Sequence, residues 1–310
     1  MFSGRDFLSM GDLSQAEIQS LLDLGMKLKS DAKAATLKHS LTGKVVGLLF
    51  EKPSTRTRAS FETAAYQLGG QAMYLRADEL QLARGEPIKD TARILGAYLN
   101  GIVIRTYAHR NLMEFAEYSP VPTINALSDL EHPTQIIGDM MTIVEAKGKL
   151  QGLKFVWVGD GNNVCNSWLL GGARMGMTVV VSCPKGFEPD RAVIERSRQL
   201  AEQSGGAIEL VHDPKKAVEE ADVLYTDVWV SMGQEKGAKS KEQKFKAYQI
   251  NEKLVSMAKG SCSVMHCLPA HRGLEITDEV LEGPCSIVWQ QAENKLHGAR
   301  AVLAAFVGLP

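Results

Sequence analysis

The residues best equipped for chemistry sit in one short run, Ser54-Thr55-Arg56-Thr57-Arg58. Three hydroxyls and two guanidiniums in five positions suit an oxyanion: each donates hydrogen bonds, and the guanidinium adds charge in a planar fork. An unbroken apolar run from Val45 to Phe50 precedes it, short enough for a buried parallel strand. After it, Phe61, Ala64, Ala65 and Leu68 recur at helical spacing, and Gly69-Gly70 supplies a stop. The segment therefore reads as strand, tight turn and helix, with the polar run at the helix N-terminus. Unpaired N–H groups and a partial positive charge already favour an anion there, most naturally a phosphate. The competing reading is a capped helix with solvated arginines, but a cap needs one hydroxyl, not three.

Other polar residues fall where strands end. Arg105 closes the apolar strand Gly101 to Thr106, and a charge there is better explained by a ligand than by packing. The polar stretch Gln81 to Asp90 reads as a loop. His132-Pro133-Thr134-Gln135 follows a strand placed at Val121 to Asn125, with Pro133 at a first helical position. An imidazole there can donate to a carbonyl oxygen as charge develops. In the second half, Gly159-Asp160-Gly161-Asn162-Asn163-Val164 follows a strand and opens a helix. The third glycine of a dinucleotide fingerprint is missing, and the next strand ends at Ser182-Cys183-Pro184 without an acid for a ribose. This reads as a tight turn rather than a nicotinamide or flavin site, with Asn163 placed to bind a substrate carboxylate or amine. Asp227 ends another strand before Val228-Trp229-Val230-Ser231-Met232-Gly233, a pattern suited to an ammonium group. His266-Cys267-Leu268-Pro269 offers a thiol and backbone carbonyls. No base stands obviously beside Cys267, which favours positioning over nucleophilic attack.

The elements holding these residues alternate strand and helix along 310 residues, implying an α/β protein with parallel sheets and enough length for two domains. Helix is expected over 12–36, 90–99, 163–175, 190–204, 214–220 and 291–307. Further strands are expected over 71–75, 154–159, 177–182, 207–211, 222–227 and 261–266. Residues 234–246 are Lys-rich and poorly patterned. The first domain is placed at 1–147 and the second at 148–289, with a C-terminal helix within 290–310 returning to the first. A net charge of -1 gives no reason to expect nucleic acid or an anionic membrane. No apolar run approaches the ~20 residues that span a bilayer, and no signal peptide is visible. Five scattered cysteines suit reduced thiols in a cytoplasm. No phosphate-binding Gly-x-x-x-x-Gly-Lys-[Ser/Thr] sequence and no metal-like spacing of His, Asp and Glu occur, so no cofactor or metal is expected.

Together these motifs resemble the aspartate/ornithine carbamoyltransferase family along nearly the whole chain. Ser54-Thr55-Arg56-Thr57 matches its phosphate motif, and Gln81, Arg105, His132 and Gln135 match the remaining carbamoyl-phosphate contacts. Asp227 with Ser231-Met232-Gly233 and the tetrapeptide His266-Cys267-Leu268-Pro269 are similar to the ornithine-using branch, and Asn163 falls on the contact to the amino acid's backbone end. One position departs: that branch usually reads Glu-Asn-Arg where this chain has Glu293-Asn294-Lys295. Lysine keeps the charge and loses the bidentate fork. Arg300, about one and a half turns further on, is the candidate to compensate.

The resemblance implies two parallel-sheet domains. It also implies transfer of a carbamoyl group from carbamoyl phosphate to the side-chain amine of ornithine, without a cofactor. Ser54, Thr55, Arg56, Thr57, Gln81, Arg105, His132, Gln135, Cys267, Leu268 and Lys295 would bind the donor. Asn163, Asp227, Ser231 and Met232 would bind ornithine. Arg105, His132, Asp227 and Cys267 would serve the chemistry. The expected assembly is a homotrimer or a multiple of trimers, with the loop bearing Gln81 reaching a neighbour's site. A sister enzyme acting on putrescine or N-acetylornithine is the alternative.

Overall fold

The computed structural model describes residue 2 and residues 4–230 and 238–308. The chain divides into two units, Met1–Met141 with Glu293–Pro310 and Thr142–Ala292. In the first, α1 (Gln15–Lys33) opens on Ser14. That serine and Glu17 form a reciprocal capping box, which satisfies two of the N–H groups a helix start leaves bare. There follow β1 (Val45–Phe50), α2 (Thr55–Gln67), β2 (Gln71–Arg76), α3 (Ile88–Tyr98), β3 (Gly101–Arg105), α4 (His109–Tyr118), β4 (Thr123–Leu127) and α5 (Pro133–Lys147), whose residues from Thr142 on belong to the second unit. The sheet is wholly parallel in the order β2-β1-β3-β4. Val46, Leu48, Ile102 and Val103 are fully buried in its inner strands, which is why those strands read as continuous apolar runs.

The second unit contains β5 (Lys154–Val158), α6 (Asn163–Arg174), β6 (Thr178–Ser182), α7 (Arg191–Ser204), β7 (Ala207–Leu210), α8 (Pro214–Val218) and β8 (Val223–Thr226). Then come α9 (Ala238–Phe245), α10 (Glu252–Val255), β9 (Ser263–His266), α11 (Asp278–Leu281) and α12 (Val288–Leu303), whose later residues belong to the first unit. The second sheet is also parallel, in the order β7-β6-β5-β8-β9. An aromatic layer backs its centre: Phe155 stacks on Trp168 at 4.1 Å and Trp157 on Tyr225 at 5.2 Å.

The sequence predicts the α/β alternation and the parallel sheets, and the structure has both. It differs in detail. No helix is expected over His109–Tyr118, where α4 lies. Its N-cap, Ala108, makes no side-chain bond, so the usual start signal is missing. β4 begins at Thr123 rather than Val121 because Pro122 has no N–H to give the ladder. The stretch read as loop, Gln81 to Asp90, holds a helical turn at Gln81–Arg84, and another turn at Ala77–Glu79 precedes it. The Lys-rich stretch holds α9. Ser231, Met232 and Gly233 lie outside the described residues.

Within the first unit, α12 and α5 touch through glycines. A Cβ on Gly138 would stand 2.8 Å from the Asn294 carbonyl oxygen, and one on Gly298 would stand 3.0 Å from the Gly138 nitrogen. Backbone cannot yield as a flexible side chain can. Gly138→Ala is therefore expected to destabilise the protein by about 1–3 kcal/mol, read as a lower urea midpoint with an unchanged slope.

Candidate active site

In each sheet the winding direction reverses between two neighbouring strands: β1 and β3 in the first, β5 and β8 in the second. Ligands of open α/β sheets settle beyond the carboxyl ends at such reversals, because the loops there diverge and leave a crevice. Ser54, Thr55, Arg56, Thr57 and Arg105 stand at the first of these points and Asn163 and Asp227 at the second, while Gln81 follows β2, His132 and Gln135 follow β4, and Cys267 and Leu268 follow β9.

In the first unit Phe50, the last residue of β1, pairs in register with Arg105, the last of β3. Ser54 caps α2, its hydroxyl accepting from the Thr57 N–H at 3.3 Å. Thr55, Arg56 and Thr57 thereby form the first turn of α2, beside the end of β3. Glu51 braces the pair of loops: its N–H donates to the Arg105 carbonyl at 2.8 Å, and its carboxylate accepts from the Thr106 hydroxyl at 2.6 Å and the Tyr107 N–H at 2.7 Å. Lys52 is a cation the sequence reading passes over. It lies over the Tyr107 ring at 4.3 Å. Its pKa is lowered by burial first and by the nearby Arg105 charge second. Its place in the same turn as Ser54 is the signal that could have found it. Arg58 faces away, 3.7 Å from the Tyr74 ring and bonded to Glu62.

His132 follows β4 and is 5% exposed. Pro133 begins α5 as expected, since a proline there loses no intrahelical bond. Gln135, one turn in, donates through Nε2 to the fully buried Asp139 at 2.8 Å, and its amide oxygen accepts from Lys295 on α12. Asp139 thus fixes which way the Gln135 amide faces. Lysine at 295 reaches the cluster, whereas Arg300 does not compensate for the missing arginine. Arg300 instead binds Gln67, the Leu28 carbonyl and His297. Gln81 is exposed, its amide accepting from Arg84 at 3.4 Å.

Burial holds the His132 pKa well below 6.5, and the Lys295 and Arg105 charges push it further down. The native imidazole is neutral at neutral pH. Above pH 6.5 it is neutral in the unfolded chain too and contributes nothing to pH dependence. Below 6.5 the unfolded chain takes up a proton that the native chain refuses, so stability falls with pH by up to about 1.4 kcal/mol per unit. Urea midpoints measured from pH 7 to pH 5 are expected to drop less steeply in His132→Gln than in the unchanged protein.

In the second unit the turn after β5 is pinned from several sides. The Trp157 indole donates to the Asp160 carbonyl at 2.9 Å, and the Gly161 N–H donates to the Phe187 carbonyl at 2.9 Å. A Cβ on Gly161 would meet the Pro189 nitrogen at 2.2 Å, so only glycine fits. Asn162, not Asn163, caps α6, its Oδ1 accepting from the N–H groups of Val164 and Cys165. Its Nδ2 donates to Asp227 Oδ2 at 2.7 Å, and the Val228 N–H donates to the other oxygen at 2.8 Å. Asn163 follows as the first residue of α6, half-buried.

Beyond β9, Gln291 ties the strand ends together. Its Oε1 accepts from the His266 N–H and its Nε2 donates to the Tyr225 hydroxyl. The Leu268 N–H donates to His266 Nδ1 at 2.8 Å, which puts the imidazole proton on Nε2, facing Glu275 at 3.1 Å. Leu268 holds a left-handed φ of 56°, rare for a branched side chain, and aims its carbonyl differently from an extended residue. Asp227, His266 and Cys267 bring ligand atoms within 4.8 Å of one another. Both imidazole nitrogens are already engaged, so this donor set does not fit a metal. Sequence spacing gave no sign of this cluster, since Asp227 and His266 meet only because β8 pairs with β9.

The fold and the two strand-end clusters define an α/β protein that can hold an anionic group on one unit and an ammonium group on the other. Residues 5–145 match the model of the aspartate/ornithine carbamoyltransferase carbamoyl-P binding domain, and residues 151–306 match that of the Asp/Orn binding domain. An ornithine carbamoyltransferase of Pyrococcus horikoshii is 50% identical over 305 residues, covering 98% of this chain and 96% of that protein. An anabolic ornithine carbamoyltransferase of Pyrococcus furiosus is 50% identical over 306 residues, covering 99% of this chain and 97% of the other. The solved structure of ornithine carbamoyltransferase from Pyrococcus furiosus superposes with a TM-score of 0.96 at 50% identity, over 99% of this chain and 98% of that one. The chain belongs to the aspartate/ornithine carbamoyltransferase family.

Proposed function

We infer that the chain transfers the carbamoyl group of carbamoyl phosphate to the side-chain amine of L-ornithine, giving L-citrulline and phosphate. The observation behind this reading is the half-identical, full-length likeness to ornithine carbamoyltransferases, together with strand-end clusters of the right chemistry.

Ser54, Thr55, Arg56 and Thr57, with the bare N–H groups of α2, hold the phosphate and stabilise it as it leaves. Arg105, His132 and Thr57 donate to the carbamoyl oxygen, where charge accumulates in the tetrahedral intermediate. The neutral state of His132 supports that role: a neutral imidazole donates a hydrogen bond without surrendering a full proton. Gln135 and Lys295 complete the donor set, joined by Gln81 and by Cys267 and the Leu268 carbonyl. Asp227, held by Asn162 and Val228, receives the ammonium of ornithine, Asn163 its backbone end, and Ser231 and Met232 close the set. The side-chain ammonium gives one proton to solvent, its lone pair forms the new C–N bond, the C–O bond to phosphate breaks, and the second proton shed by the nitrogen leaves with the phosphate. Holding both substrates in line supplies much of the remaining acceleration.

The anabolic relative supports a role in arginine biosynthesis. Assembly into homotrimers or multiples of trimers is the reading that the family resemblance alone supports. Five free cysteines support a cytoplasmic setting. No described helix is long and apolar enough to cross a membrane. The test is ureido product from carbamoyl phosphate with ornithine, putrescine, N-acetylornithine or aspartate in separate tubes. Citrulline from ornithine alone is expected; product from another amine alone would overturn the acceptor assignment.

A further inference from the structure

Beside Asp227 lies a second carboxylate, Asp160, in the same turn as Asn162. It is 14% exposed, and the Asp227 charge is near enough to act on it. Two carboxylates at the mouth of one acceptor site pose a difficulty, since an incoming ammonium could settle on either. Asp160 is already taken. Lys241, on α9, donates to its Oδ2 at 2.8 Å and is itself 16% exposed. The ammonium is held from behind by two rings, Phe187 at 5.5 Å and Phe245 at 5.6 Å, both of which favour a cation over their faces. The Phe187 carbonyl also accepts from Gly161, so the lysine's aromatic support and the Asp160 turn are one assembly. Phe245 is fully buried and packs on Phe187 at 4.9 Å. The lysine is thus placed by buried packing rather than loosely drawn to a surface charge.

We propose that Lys241 is a positioning and specificity residue for the acceptor, pairing Asp160 so that Asp227 alone receives the substrate ammonium. The inference rests on the ornithine reading of the second unit. Lys241 touches no substrate and acts through Asp160. With the lysine removed, Asp160 becomes a second, misplaced anchor for ornithine. With Asp160 neutralised, the freed ammonium competes with ornithine for Asp227. Either single change damages the site, and removing both charges together restores it. A lysine that merely fastened α9 would give no such restoration.

The experiment is a double-mutant cycle of Lys241→Met, Asp160→Asn and their combination, with folding checked by circular dichroism. Citrulline formation is measured against ornithine at saturating carbamoyl phosphate, and the reverse. Each single variant is expected to raise the ornithine KM about tenfold or more, with the carbamoyl-phosphate KM within about twofold, and the double variant to return to within about threefold. Lys241→Arg should keep the pair and stay near the unchanged protein. If Lys241→Met does not fold, Asp160→Asn decides the matter through the same ornithine KM. Unmoved ornithine KM in folded single variants, or simply additive losses in the double, would overturn the inference alone. No citrulline from the unchanged protein would overturn the ornithine reading and this inference together.

Discussion

Arg56→Ala is expected to give a folded protein that forms citrulline about a thousandfold more slowly. Losing one preorganised donor to a developing charge costs about 10²–10³ in rate, and a guanidinium aimed at a phosphate adds charge to the hydrogen bond. The fold should tolerate the change. Arg56 is the second residue of α2, whose start is held by the Ser54 cap, and Ser60, Phe61, Ala64 and Ala65 bury the helix. The loss should appear in kcat as well as in the carbamoyl-phosphate KM, because the leaving phosphate gains charge in the transition state. A folded Arg56→Ala variant with unchanged turnover would remove the phosphate assignment of the turn.

The second large effect is expected at Asp227. Asp227→Asn keeps the shape and removes the charge, and the amide must turn one NH2 towards a donor. Both present partners, the Asn162 amide and the Val228 N–H, donate to Asp227, so the substituted amide can satisfy only one of them. Truncating one side of a buried charge pair costs about 2–5 kcal/mol, which corresponds to a loss in ornithine kcat/KM of about 30-fold to several thousandfold. Binding of carbamoyl phosphate, followed by calorimetry without ornithine, should be unchanged. If the ornithine KM stays put while carbamoyl-phosphate binding weakens, Asp227 serves the donor and the acceptor reading fails.

The strand, turn and helix around Ser54 were legible because three signals agree there: a buried apolar run, a cap and a helical stripe with a glycine stop. The same agreement placed Pro133 at the start of α5. Where one signal was silent the reading slipped. The start of α4 has no capping side chain, and its buried stripe is only Leu112 and Phe115, too short to mark a helix without a start signal. Asn162 and Asn163 are adjacent amides, and spacing cannot say which one caps α6. Lys295 and Gln135 are 160 positions apart, and Asn162 and Asp227 are 65 apart. Such pairs exist only once strands and helices have assembled. What the sequence resolved was local chemistry; the partners that orient it are matters of topology.

The first unit is completed by residues that follow the whole of the second. Gly298 presses on Gly138, Asn294 binds the buried Lys29, Arg300 binds Gln67, and Phe306 packs on Phe2 and Phe7. During synthesis the ribosome must therefore add about 150 further residues, at about 5–20 per second, before the early half can close its core. For roughly 8–30 seconds the nascent chain carries an open seam where α12 will lie, with Lys29 still lacking its asparagine. The inserted half can finish folding while the half that encloses it waits. Chaperone attention in that interval should concentrate on the groove beside α1 and α5, and a stall before α12 is made would leave the donor-side cluster without Lys295.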